Sequence, residues 1–234
     1  MPLQKKDFIE IEFTGRVKDG EIFDSNILED MKELHEGHSH EIEAKPIIFC
    51  LGEGMFLKGI DDFLIGKEVG NYQIELSPDR AFGARLAQLV QMVPIKVFQS
   101  QKLNPIPGSV FNFDGRIAKV LTVSGGRVIV DFNNPLAGKT VIYNIRVLKK
   151  VEVLNEKVKS FIDFLFRQEL MFSIEGNKVI LEVEKQMAEF VSMFKEKFKD
   201  VLGMEMEVRQ KAEPLANSSE SQIKEIEEKP KTPQ

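Results

Sequence analysis

Residues 46–83 read PIIFCLGEGMFLKGIDDFLIGKEVGNYQIELSPDRAFG, and the alternation there of apolar runs and turn residues sets the plan of the surrounding chain. Residues 47–51 are a short apolar run, the pattern of a buried strand, closed by Gly52 and Gly54. Leu57, Ile60, Leu64 and Ile65 then form a helical apolar face, which predicts a short helix over 57–66 ending at Gly66. Val69-Gly70 turns the chain into a strand over 71–76. Ser77-Pro78-Asp79 is a turn signal, because proline presets φ and the short polar side chains bond nearby backbone.

Upstream, Phe8, Glu10, Glu12 and Thr14 interleave with Ile9, Ile11 and Phe13, so 7–18 reads as a strand. Lys18-Asp19-Gly20-Glu21 reads as a hairpin turn, since Asp-Gly supports the positive φ such turns need, and Phe23-Asp24 opens the return. Residues 27–45 are polar, hold all three histidines and read as an exposed loop with one helical turn. Downstream, 139–153 is a long alternating strand with Val141, Tyr143, Ile145 and Val147 on one face. Between these lies a second unit. Pro94, Pro105 and Pro107 punctuate its start, and 110–122 and 127–132 are β-rich about Ser124-Gly125-Gly126. The expected organisation is one domain over 1–85 and 137–153, interrupted by an inserted domain over 86–136.

From 154 the period becomes helical, with Val158, Ile162, Leu165 and Phe166 in phase. A hairpin over 170–183 turns about Glu175-Gly176-Asn177. A helix is expected over 184–202, with Met187, Phe190, Val191, Phe194, Phe198 and Val201 on one face, and a last strand over 204–210. The order helix, two strands, helix, strand predicts a separate α/β domain over 154–211. Residues 212–234 carry Pro214, Pro230 and Pro233 and no aromatics, which predicts a disordered tail.

The chain has 234 residues, of which 42% are hydrophobic, so it can bury a core. Thirty-two Lys and Arg against thirty-seven Asp and Glu argue against nucleic-acid binding by bulk charge. The lone Cys50 excludes an intrachain disulfide and fits a reducing cytoplasm. No apolar run is long enough for a membrane span, and the first residues lack a signal-peptide core. Eighteen Phe with two Tyr and no Trp favour dry apolar contacts.

Several chemical motifs fail. Gly52-Glu53-Gly54 with Gly59 lacks dinucleotide spacing, and Gly138-Lys139-Thr140 lacks the first phosphate-loop glycine, which would stand at Asn133. No cofactor is implied. His35-Glu36-Gly37-His38 is not a zincin helix, because Ser39 stands where the second histidine belongs. His35, His38 and His40 beside Glu36 and Glu41 are either a divalent-metal cluster or a solvated polar loop; the loop is preferred, and no metal residue is assigned. Cys50 lies between Phe49 and Leu51, where desolvation quiets a thiol.

What remains is an apolar constellation around a sheet and a short helix, with one carboxylate, Asp24, directly after Phe23. Each apolar residue by itself reads as core; the order of the motifs points further. Phe13-Thr14-Gly15, Asp19-Gly20 and Phe23-Asp24-Ser25 resemble the opening of FKBP-type peptidyl-prolyl isomerases. Pro46–Gly52 followed by Leu57-Lys58-Gly59-Ile60 resembles their pocket floor, and Val69-Gly70 with Ser77–Gly83 resembles the next strand and active-site loop. Gly138–Tyr143 resembles the closing strand. Leu89–Pro94, Val97-Phe98 and Val130–Gly138 resemble the SlyD-type subgroup, and the extra C-terminal segment resembles long-type archaeal members. The histidine-rich tail of some SlyD proteins is absent, so their nickel chemistry is not carried over.

The resemblance implies an α+β chain: an FKBP-like antiparallel half-barrel wrapped on a short helix, an inserted small β domain with chaperone function, and a C-terminal α/β domain. It seats the prolyl ring against Ile60, with Phe13, Phe23, Phe82 and Tyr143 as walls. Ile47, Phe49 and Phe56 complete the substrate contacts. It gives the Leu57 N–H to a substrate carbonyl and places Asp24 near the twisting amide. Three departures stand out: Ile60 for the usual Trp, and Phe82 and Phe13 for tyrosines. The Tyr143 hydroxyl is expected to take over one donor role. On the insert, Met92, Val93, Val97, Phe98, Phe111 and Phe113 are expected to supply a groove for unfolded chains. The expected partners are unfolded proteins and proline-containing peptides, and the C-terminal domain is expected either to pair two chains in a homodimer or to bind clients. A holdase that keeps the pocket only as a peptide cleft is the alternative.

Overall fold

The computed structural model of the chain describes residues 1–34, 44–113 and 115–211. The expected tail over 212–234 and the three histidines lie outside them. The chain divides into two compact units, Met1–Phe164 and Leu165–Gln234. That division falls ten residues beyond the change of period at 154.

In the first unit, β1 (Phe8–Val17) leads into β2 (Ile22–Ser25), α1 (Leu28–Leu34), β3 (Ile47–Cys50), α2 (Lys58–Leu64) and β4 (Gly70–Leu76). Then come β5 (Val90–Pro94), α3 (Ile95–Ser100), β6 (Val110–Phe113), β7 (Arg116–Ser124), β8 (Arg127–Asp131), β9 (Val141–Lys150) and α4 (Leu154–Phe166), whose last turn crosses the division. The main sheet runs β2-β1-β9-β4, with β3 also paired to β1, and every pairing is antiparallel. The long alternating patterns made β1 and β9 its centre: Ile9, Ile11 and Phe13 face inward beside Val141, Tyr143, Ile145 and Val147.

Helix α2 lies under this face and contributes Ile60 and Leu64 to the same core. It can lie so close because Gly59 has no side chain. A Cβ there would stand 2.6 Å from the Arg80 carbonyl and 2.7 Å from Leu76 Cδ2. Leu57 is extended and forms the N-cap, and Ile65 is exposed, so the buried stripe is narrower than the sequence pattern implied. Helix α1 is longer than the single turn expected in 27–45, because Ser25 Oγ accepts the Ile27 N–H at its start.

The inserted segment builds its own antiparallel sheet, β5-β8-β7-β6. The expected β run over 110–122 is in fact the hairpin of β6 and β7. Helix α3, which the sequence reading did not anticipate, follows Pro94 at its N-cap and drives Phe98 into a core with Ala118, Val120, Val128 and Val130.

The second unit holds β10 (Met171–Glu175), β11 (Lys178–Val183), α5 (Lys185–Ser192), α6 (Lys195–Leu202) and β12 (Glu205–Gln210). Strand β10 pairs antiparallel with β11, and β11 pairs parallel with β12. The one helix expected over 184–202 is two, broken at Met193-Phe194. Unbroken it would span ~28 Å, against ~20 Å for the six-residue strands it must cross. The break lets Val191 and then Phe198 and Val201 be buried, and it gathers Phe166, Phe190 and Phe194 edge to face.

Candidate active site

Asp24 is held by the strand return rather than by its own contacts. Strand β1 pairs Gly15 with Asp24 on one side and with Tyr143 on the other. Beneath the return, Asn26 accepts the Phe13 N–H at 2.7 Å and donates to the Ile11 and Lys45 carbonyls. Ser25 Oγ donates to the Phe13 carbonyl at 2.9 Å, and Thr14 Oγ1 donates to Asp30. Ser25 and Asn26 are buried, and each makes more than one of these bonds, so the turn that presents Asp24 is rigid. Asn26 and Asp30 went unnoticed in the sequence, where they read as ordinary turn and helix-start residues.

Around Asp24 the rings meet edge to face, apart from the tilted Phe49–Phe56 pair. Phe23 meets Phe82 at 5.6 Å and Tyr143 at 5.7 Å, and Phe56 meets Phe13 at 5.0 Å, Phe49 at 5.3 Å and Tyr143 at 5.8 Å. Such pairs add about 0.5–1.5 kcal/mol each beyond burial. Gly15 is what lets two of these rings close over β1. A Cβ there would lie 2.9 Å from both Phe23 Cζ and Tyr143 Cε1.

The structure brings Phe13, Phe23, Phe49, Phe56, Leu57, Ile47, Phe82, Tyr143 and Ile60 into one cluster, as expected. Burial corrects some of the expected contacts: Ile60 is 0% exposed, and Phe13, Phe49 and Tyr143 are buried as well, so these four support the enclosure, while its partly open surface comes from Phe23, Phe56 and Phe82. Among the described residues the Leu57 N–H donates to no acceptor, while its carbonyl takes the Ile60 and Asp61 N–H groups.

The electrostatics follow from burial. Asp24 keeps solvent access, yet the surrounding apolar surface desolvates its carboxyl and raises its pKa, against the pull of the Ser25 N–H. The Tyr143 phenol is pushed well above its ordinary range, first by burial and then by the charge of Asp24. The cluster is therefore an apolar enclosure with one carboxylate at its side, suited to holding a neutral, planar group rather than to attacking one. Among the described residues no group of three or more His, Cys, Asp and Glu is placed to hold a metal ion. No helix among them is long and apolar enough to cross a membrane.

The insert joins the main sheet through two crossing strands of backbone. Asn133 accepts the Leu86 N–H at 2.8 Å and donates to the Leu86 carbonyl at 3.0 Å. Arg85 pairs with Asp131 at 2.7 Å. Burial would raise the Asp131 pKa, but the Asn133 backbone and side-chain donors and Arg85 together hold it below the usual carboxylate range. A depressed acid adds stability above its unfolded pKa and loses it as pH falls through the folded one, so acid weakens this neck only below the usual carboxylate range.

Of the insert residues expected to meet unfolded chains, Met92 is 58% exposed and Val97 is also exposed. Val93, Phe111 and Phe113 are partly buried against the insert core. Phe98 is corrected: it is fully buried at the centre of that core and cannot touch a client. The sequence reading missed Ile106, Val110 and Ile117, which are all more than half exposed. The signal was present in the alternation of β6, where Phe111 and Phe113 turn inward and Val110 therefore turns out. Val110 and Ile117 line a cleft of about 400 Å³ with Lys119, Pro135, Ala137 and Lys139.

Comparison with known proteins gives the family. Residues 91–136 match the family model described as FKBP26, IF domain. The chain is 32% identical over 146 residues to the short-type peptidyl-prolyl cis-trans isomerase of Methanocaldococcus jannaschii, covering 62% of this chain and 92% of that one. It is 34% identical over 112 residues to the FKBP-type 16 kDa peptidyl-prolyl cis-trans isomerase of Escherichia coli K12, covering 45% and 74%. It is 27% identical to SlyD of Haemophilus influenzae, covering 68% and 77%. A solved structure of the three FKBP domains of wheat FKBP73 aligns with a TM-score of 0.32 and 16% identity over 64% of this chain and 40% of that one, a likeness too low to bear on the fold. With an aromatic enclosure beside one carboxylate, and with relatives of this identity and coverage, the chain belongs to the family of FKBP-type peptidyl-prolyl cis-trans isomerases.

Proposed function

We propose that this protein isomerises X-Pro bonds of unfolded chains at the Asp24 cluster, and that its inserted domain over 86–136 captures those chains. The single observation behind the first half is the ring enclosure of Phe13, Phe23, Phe56, Phe82 and Tyr143 beside a partly desolvated carboxylate. The X-Pro bond turns over a barrier of about 20 kcal/mol because twisting it breaks amide resonance. No covalent step is required. An apolar enclosure shaped to the twisted amide lowers that barrier, and each tenfold in rate needs only about 1.4 kcal/mol. In this reading the free Leu57 N–H fixes a substrate carbonyl, Asp24 lies alongside the turning amide, and the Tyr143 hydroxyl supplies the donor that Phe13 and Phe82 lack. The prolyl ring meets the enclosure at its partly exposed rings, Phe23, Phe56 and Phe82.

Client capture rests on the exposed Met92, Val97, Ile106, Val110 and Ile117. A client held there raises the effective concentration of its proline bonds at the pocket. We assign self-association to the C-terminal domain over 154–211, where Met171, Phe190 and Met193 expose large apolar surface; sedimentation with and without the Met193→Lys change tests it.

The deciding experiment is refolding of a protein whose slow phase is limited by prolyl isomerisation, with this chain added substoichiometrically. Acceleration that falls at least about tenfold in Asp24→Ala/Phe82→Ala supports the pocket. No acceleration, with aggregation suppressed only at stoichiometric amounts, replaces it with a holdase.

A further inference from the structure

The sheet of the inserted domain has a second face that its core does not cover. On one side Phe111, Phe113, Ala118, Val120, Val128 and Val130 pack with Phe98. An antiparallel sheet with one buried face ordinarily turns polar residues out on the other. Here alternation along β7 places Ile117, Lys119 and Leu121 on that other side, and Val110 of β6 stands opposite Lys119. Val110 and Ile117 are 59% and 61% exposed. Pro135, Ala137 and Lys139, on the segment that returns to β9, wall this surface into the cleft of about 400 Å³.

The free charges of the cleft have one sign. Asp131 is the one carboxylate among its lining residues, and Arg85 at 2.7 Å and the Asn133 amide at 2.6 Å take it up. The side chains of Lys119 and Lys139 are exposed, and among the described residues neither ammonium has an ion pair. The bias extends beyond the cleft. Residues 86–136 hold five Lys and Arg against two Asp, so the insert is net positive within a chain of net charge -5. None of the lining residues is aromatic, so the cleft offers nucleic-acid bases no ring to stack on.

We propose that this cleft selects acidic, apolar segments of unfolded chains: Val110, Ile117 and Leu121 take the apolar side chains, and Lys119 and Lys139 pair with flanking carboxylates. The proposal rests on the capture reading above and names the class of segment captured. Two unpaired ammonium groups beside an apolar floor attract an acidic segment and repel a basic one, and the apolar walls strengthen both effects over their size in water. The charge of the whole chain works the other way and favours basic clients, so a preference for acidic ones traces to the local cations.

The test is fluorescence anisotropy of the full chain with three short labelled peptides that lack proline. All share a Val-Leu-Val centre, flanked on both sides by Glu, by Ser or by Lys. The Glu peptide is expected to bind at least about fivefold tighter than the Ser peptide at low salt, and the Lys peptide weakest, with the differences shrinking as salt is added. Lys119→Glu/Lys139→Glu is expected to reverse the order of the Glu and Lys peptides with an unchanged thermal midpoint. Should that variant not fold, Lys119→Gln and Lys139→Gln decide singly: each is expected to weaken the Glu peptide and leave the Ser peptide alone, and no change in either overturns the proposal. Equal affinities for the three peptides overturn it, and so does an order that survives the charge reversal. A single-stranded DNA oligonucleotide that outcompetes the Glu peptide on the wild type, but not on the reversed variant, overturns it in favour of nucleic acid. Binding of none of the peptides overturns the capture reading itself, whereas binding without a charge order overturns only the selectivity.

Discussion

Gly15 shows how a single missing side chain sets a site. The rings of Phe23 and Tyr143 both lie 2.9 Å from where its Cβ would be, so Gly15→Ala must push both rings out of the enclosure. The expected cost is roughly 1–3 kcal/mol of stability, with at least about a tenfold loss of peptide isomerisation. Denaturant melts and the tetrapeptide assay measure the two separately. At Asp61 the balance runs the other way. Its folded pKa of about 6 lies above the unfolded value of about 3.9, so the folded state holds the extra proton between the two. Stability from this group is greatest in acid and is lost as pH rises through that window, by about 3 kcal/mol at neutral pH. Asp61→Asn is therefore expected to raise the denaturant midpoint at pH 7 and to match the wild type below about pH 4. An Asn variant less stable at pH 7 would show that the charge is stabilising after all.

At the scale of elements, the neck connecting insert and sheet acts as a paired joint. Asn133 mimics a strand partner for Leu86, and Arg85 pins Asp131 from the opposite side. Removing the Asn133 amide deletes two backbone bonds, worth roughly 1–3 kcal/mol together. The aromatic enclosure is built by β1, β2, β3, β9, the β3–α2 turn and the loop after β4 that carries Phe82, and in these bonds Asn133 touches none of its ring residues. Asn133→Ala should thus leave tetrapeptide isomerisation unchanged while slowing catalysed refolding of a whole protein several-fold, because the insert no longer presents its client at a set angle. Parallel assays on the one variant check this, and equal losses would make the joint a plain structural support.

For the whole molecule, the insert and the main domain are separate sheets within one compact unit, so the proposed capture and catalysis are separable. Each has its own core: Phe98 with Val120, Val128 and Val130 in the insert, and the β1–β9 face with α2 in the main sheet. Deleting 87–134 removes the first without taking residues from the second. Refolding catalysis should fall by a factor of about 100, while tetrapeptide activity changes by only a few-fold, as expected when tethering supplies an effective concentration. Matched losses in the two assays would place client capture elsewhere.

Strands β1, β4 and β9, the short helix α2 and the interruption between β4 and β9 were legible from period and punctuation. A strand with one buried face must alternate, and Gly and Pro mark where it stops. Motif order, rather than period, picked out the pocket residues, since period says that a side chain points inward but not what it meets there. Local pattern could not show that Phe98 is core, that Ile60 is covered, or that 184–202 must break. Those outcomes depend on volumes and lengths supplied by distant segments. The same holds for Gly15 and Asp61. Register brings Phe23 and Tyr143 from two strands over one glycine, and packing buries the Asp61 carboxyl with one oxygen unpartnered. Neither the ring closure over Gly15 nor the burial of Asp61 is encoded within a window of neighbours, because each is a consequence of pairing across the sheet and packing beneath it.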